Sequence, residues 1–153
     1  MMRTIVFILT AVNLLVVLVT LSPGCATIKA ITSDGIRNDM AAISREIDSN
    51  RSAMNALRDR RVGKTGFYYV LDSDGRVVFH PRLALIGSSF SKVWFVNQLL
   101  EEKSGCITYV LGNRKHYLFY TPINDFEILC LSIISDDLPP GVDCKAAQIK
   151  TND

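Results

Sequence analysis

Two short runs carry residue types that could do chemistry. Gly63-Lys64-Thr65 ends like a phosphate-binding loop, in which backbone amides and a lysine cradle phosphates. That loop needs a leading glycine at position 58, which here is Arg58, and it lies between a strand and a helix, the reverse of the order expected here. Asp72-Ser73-Asp74-Gly75 resembles the start of a calcium loop, but the glutamate required at its twelfth position is Leu83. As a turn, the same four residues are well chosen: aspartates bond their own backbone and glycine takes positive φ. His80 and His116 have no Cys or His neighbour at metal-ligand spacing, which points to structural or solvent-facing roles. No G-x-S-x-G elbow precedes a helix, and Glu101-Glu102 reads as a solvated helix face. The sequence therefore gives no sign of an enzyme, a metal site or a cofactor.

The elements around these residues follow from periodicity. The chain of 153 residues is long enough for one cored domain, and its net charge of +2 argues against a nucleic-acid partner. Between residues 26 and 62, Ile36, Met40, Ile43, Ile47, Asn50, Met54 and Leu57 recur every three or four positions. This spacing predicts one amphipathic helix, apolar along a stripe that Asn50 interrupts. The stripe reads first as core, with a dimer seam as a second use. From Gly63 the pattern changes to strands: Phe67 to Leu71, Arg76 to His80, then CITYVL, KHYLFYTPI and FEILCLSII. Ser91 can cap a short helix, KVWFVNQLLEEK, which Ser104-Gly105 closes. The order predicts an α+β domain, with five antiparallel strands (core 63–134) backed by the long helix. Residues 135–153, with Pro139-Pro140-Gly141, read as an irregular tail.

The first 25 residues have a different character. Arg3 precedes an uncharged apolar run from Thr4 to Leu21, the pattern of an export signal or membrane anchor. Three fates stay open: an uncleaved anchor, cleavage after Ala26, or a lipoprotein acylated at Cys25, since Gly24-Cys25 resembles a lipobox. Each places the remainder outside the cytoplasm, in the periplasm or at the cell exterior. Cys106, Cys130 and Cys144 then meet an oxidising space, but their spacing is no disulfide or zinc framework. Cys130, inside an apolar strand, reads as a buried thiol, and pairing of Cys106 with Cys144 stays open.

The order of parts from Gly63 resembles Cache domains, the extracytoplasmic sensor modules of bacterial chemoreceptors and histidine kinases. The matching pieces are GKTG, FYYVL, DSDG, RVVFHP and LIG, followed by FVNQLLEEKSGCITYVLGNRKHYLFYTPI, over about Asp34 to Ile134. A departure is the stretch before the last strand, IND and Phe126, where the family often has a glycine turn and a tryptophan. The resemblance implies a PAS-like sheet and a pocket between its second face and the segment from Pro81 to Gly105. It also implies a small metabolite as ligand, such as an organic acid, amino acid or amine. Tyr69, Tyr109 and Tyr120 on three strands, with Trp94 on the short helix, are the candidate wall. Arg82, Lys92 or Arg114 could meet a carboxylate, and His80, before Pro81, is a candidate for the wall or for shaping the turn. No apolar run able to span a membrane follows, so signalling is expected through a homodimer or a receptor partner. The alternative is a membrane-tethered structural or dimerisation module that keeps the fold without binding.

Overall fold

The computed structural model describes residues 31–146. Residues 1–25, with the anchor and the Cys25 acylation expected for them, lie outside that range. Among the described residues no helix is long and apolar enough to cross a membrane.

Helix α1 (Ser33–Ser49) begins where Thr32 Oγ1 accepts the Gly35 amide at 3.0 Å. Gly35 therefore sits in the capped first turn, where a Cβ would meet that oxygen at 3.0 Å. Ile36, Met40, Ile43 and Ile47 are buried, as the stripe predicts. The single helix expected over 26–62 is instead divided at Asn50, whose backbone is extended (φ −142°, ψ 99°). Its amide closes α1 on the Glu46 carbonyl at 2.8 Å, and its side chain accepts the Ser52 amide at 3.2 Å to start a 3-10 helix, Arg51–Arg58. A residue that competes for backbone bonds thus becomes two caps. Met54 and Leu57 remain buried, so the apolar stripe survives the break.

The sheet comprises β1 (Arg61–Val62), β2 (Gly66–Asp72), β3 (Val77–Phe79), β4 (Gly105–Leu111), β5 (Arg114–Asn124), β6 (Glu127–Ile134) and β7 (Lys145–Ala146). Their order is β1-β2-β6-β5-β4-β7, with β3 also on β2. The five expected strands are all present and antiparallel. The β2–β3 turn is the aspartate turn: Asp72 Oδ1 accepts the amides of Asp74 and Arg76 at 3.0 and 2.8 Å. Between β4 and β5, Gly112 and Asn113 both have positive φ, 56° and 61°, as a two-residue hairpin requires.

Strand alternation sends residues to two cores. One face holds Tyr68, Val70, Phe119, Leu129, Leu131 and Ile133 under α1 and the 3-10 helix. The other holds Tyr69, Leu71, Ile107, Tyr109, Leu118, Tyr120, Ile128 and Cys130 under α2 (Trp94–Glu102), whose Val96 and Leu99 are fully buried. The architecture is α+β.

The segment after β6 departs from the irregular tail expected of it. One 3-10 turn (Ser135–Asp137) leads into a strap whose Leu138 and Val142 pack on the α1-side core. Cys144 is disulfide-bonded to Cys106, Cα–Cα 5.0 Å, so these two cysteines form a staple that sequence spacing left undecided. β7 then pairs in parallel with Ile107 and Thr108. A two-residue strand after a Pro-Pro-Gly run has no periodicity to reveal it. It forms because the edge of β4 offers unpaired backbone groups.

Candidate ligand-binding site

A cavity of about 530 Å³ opens on the α2 face, at the end of the sheet where β2 begins and β4 finishes. Four neighbouring strands supply its floor through one parity of alternation: Phe67 from β2, Ser132 from β6, His116 from β5, and Tyr109 and Leu111 from β4. The loop after β3 supplies the opposite wall with His80, Pro81, Arg82 and Leu85. Arg61 and Thr65 complete the rim.

Tyr109 anchors the floor. Its ring stacks on Phe95 at 4.3 Å and on His116 at 5.2 Å, and its hydroxyl shares a 3.2 Å hydrogen bond with Ser132 Oγ. Burial pushes its phenol above the usual range. His80 is 6% exposed and packs edge-on against Phe67 at 5.3 Å. Its Nδ1 accepts the Arg82 amide at 2.9 Å, which fixes the neutral tautomer carrying the proton on Nε2. Burial lowers its pKa, and the Arg82 charge adds to that. His116 is also lowered, chiefly by burial, with the Leu111 backbone opposing and Arg114 contributing. The buried His116 Nδ1 has no protein hydrogen-bond partner.

Two guanidinium groups and two imidazoles line this cavity, and no carboxylate does. Arg61 is steadied by its own loop, Nη1 donating to the Arg58 and Arg60 carbonyls at 2.8 and 3.2 Å. Positive charge above an aromatic floor suits a small anion with an apolar part. A second cavity of about 380 Å³, beside the disulfide, differs in kind: Arg37, Lys145, Glu102 and Asp143 line it, with no aromatic side chain. Among the described residues no group of three or more His, Cys, Asp or Glu could hold a metal ion.

The sequence-predicted residues divide into two groups. His80, Arg82 and Tyr109 come together in the cavity wall. Tyr69 is on the same face but buried behind His80, ring centroids 5.9 Å apart, and does not line the cavity. Tyr120 is at the other end of the face, where its hydroxyl donates to Glu102 and its ring borders a groove with Arg37 and Gly105. Trp94 is 40% exposed, does not line the cavity, and packs edge-on against Phe95 at 5.6 Å. Lys92 and Arg114 do not line the cavity. Arg61, Thr65, Phe67, Leu85, His116 and Ser132 are lining residues that sequence reasoning missed. Parity could have found two of them, since Phe67 is two positions from Tyr69 and His116 four from Tyr120.

The family model described as the Cache 3/Cache 2 fusion domain matches residues 40–135. No curated protein sequence matches the chain significantly. Among solved structures, the chain is similar to a periplasmic sensor domain of a chemotaxis protein (TM-score 0.54, 19% identity, 67% of this chain and 94% of that one). It is also similar to a methyl-accepting chemotaxis protein from Vibrio parahaemolyticus (TM-score 0.54, 15% identity, 71% and 88%). A third is a Cache chemosensory domain solved to explain carboxylic acid recognition (TM-score 0.50, 11% identity, 67% and 88%). At these identities the structures speak for the fold, and the family model, spanning well over half of the sequence, speaks for descent: the chain belongs to the Cache 3/Cache 2 family of sensor domains.

Proposed function

We propose that this domain is an extracytoplasmic sensor module that binds a small carboxylate-bearing metabolite, an organic acid or amino acid, in the cavity between β-sheet and Pro81 loop. The observation that carries the reading is the lining: Arg61, Arg82 and His80 line one cavity with Phe67 and Tyr109, and no carboxylate lines it. Guanidinium and imidazole N–H groups give charge-assisted bonds to a carboxylate, and the rings hold its apolar part. The volume of about 530 Å³ falls in the range of about 300–1,000 Å³ common for small-ligand sites. One solved relative of the fold recognises carboxylic acids, which is consistent chemistry on a similar scaffold. The protein acts as a binding module without catalysis, tethered to the membrane through its N-terminal apolar run and passing occupancy to a partner.

Thermal-shift screening of the full-length chain against acetate, propionate, pyruvate, succinate and the amino acids tests this. A ligand at a hundred times its Kd stabilises the fold by about 2.7 kcal/mol. Arg82→Ala should weaken binding about 10- to 100-fold, because a hydrogen bond to a charged group contributes about 1.5–3 kcal/mol. A panel without any stabilising compound would count against the reading.

A further inference from the structure

Thr65 has a second set of partners behind the cavity wall. Thr65 lines the cavity, and its Oγ1 donates to Asp137 Oδ2 at 2.5 Å and accepts the Ile134 amide at 3.2 Å. The same carboxylate oxygen also accepts the backbone amides of Lys64 at 3.0 Å and Thr65 at 2.5 Å. Gly63, at φ +61°, makes the turn that aims both amides at one point, and a Cβ there would meet Asp137 Cβ at 3.1 Å. The Gly63-Lys64-Thr65 turn therefore does bind an anion, and the anion is the chain's own.

Asp137 is also one end of the strap. Beyond it, Leu138 to Asp143 run to Cys144, which the disulfide holds on β4. Pro139, Pro140 and Gly141 are exposed at the middle of that span. The strap thus has one covalent anchor and one polar, reversible anchor, and the reversible one is held by a residue that lines the cavity.

We propose that the Thr65–Asp137 contact is a latch that a carboxylate in the cavity opens. This rests on the binding reading above. A threonine hydroxyl has a single proton to donate. A ligand carboxylate that takes the Thr65 proton withdraws it from Asp137, which weakens the carboxylate's hold on the turn. Leu138 to Asp143 then move away from the α1-side core, and the Cys106–Cys144 bond keeps the released strap attached. Ligand and latch oppose each other, so by reciprocity a broken latch favours the ligand. Strap release also gives a partner a surface that depends on occupancy.

Hydrogen exchange and calorimetry on the full-length chain test the latch, with whichever of acetate, propionate, pyruvate and succinate binds in the calorimeter as the probe. Saturating probe is expected to speed exchange several-fold at the Lys64, Thr65 and Leu138 amides. Asp137→Ala, which removes the acceptor, is expected to show that fast exchange without probe and to bind the probe about tenfold more tightly, within the usual span of site-to-site coupling. Thr65→Ser retains the hydroxyl and should behave as the parent does. Binding with unchanged or slowed exchange at these amides, or equal affinity in Asp137→Ala, overturns the latch and leaves the cavity reading intact. Absence of any binding in the calorimeter overturns the cavity reading first, and the latch with it.

Discussion

His80 and His116 both face the cavity, and burial holds both below the ordinary histidine pKa. The consequence for stability has a definite sign. Below about pH 6.5 the unfolded chain takes up protons on these imidazoles that the folded chain does not yet accept. Stability therefore falls as pH drops from about 6.5 toward the lower folded values, then levels off. Urea unfolding between pH 5 and 7.5 should show this slope, and the double variant His80→Gln, His116→Gln should flatten it; an unchanged slope would argue against the assignment. Asp137 acts in the same sense at lower pH, since Thr65 and the turn amides hold it below the usual carboxylate range. Its contribution is present above the unfolded Asp pKa and disappears as pH falls through the folded value. At Gly105 the constraint is steric: a Cβ would meet the Tyr120 hydroxyl at 2.7 Å, and Tyr120, 2% exposed and bonded to Glu102, has no room to give. Gly105→Ala should cost about 1–3 kcal/mol by overpacking, read by thermal unfolding, without changing carboxylate affinity in the cavity at the other end of β4.

At the scale of elements, helix α1 derives its stability from one face. Met40, 2% exposed against the sheet, is the central contact, and Met40→Ala should lower stability by about 2–5 kcal/mol in chemical denaturation. Asn50→Ala removes a cap from the 3-10 helix and should cost about 0.5–2 kcal/mol. These elements also mark what the sequence could disclose. The apolar stripe from Ile36 to Leu57 was legible, because a 3.6-residue period reports which side is buried. The break at Asn50 was visible only as a gap in that stripe, since capping depends on backbone angles. The DSDG and Gly112-Asn113 turns were legible because their residue types are demanded by φ. The strap was not: Leu138, Val142 and the two-residue β7 are held by distant partners, and neither spacing nor composition encodes a partner. The cavity was legible in part. His80, Arg82 and Tyr109 line it, yet Tyr120 shares their face and lies at its other end. Parity fixes the face of a strand residue; position along the sheet comes from register, which only the assembled sheet reveals.

At the scale of the whole molecule, a sheet with a helix-covered face and a cavity-bearing face is closed by a disulfide across a sequence separation of 38 residues. Chain-entropy arguments give such a loop about 4 kcal/mol of stabilisation. Cys144→Ser should accordingly lower the unfolding free energy by about 2–4 kcal/mol, and reductant should have the same effect on the parent and none on the variant. The cavity floor stands apart from that staple, so ligand affinity measured in stabilising buffer should be retained. The central claim, that a small carboxylate sits between Arg82 and Tyr109, is tested most directly by following the imidazole resonances of His80 and His116 while the best-binding carboxylate is titrated. Both should shift together, with one Kd, and Arg82→Ala should move that Kd upward. Resonances that stay still while the ligand binds, or shifts confined to the groove around Arg37 and Lys145, would contradict it.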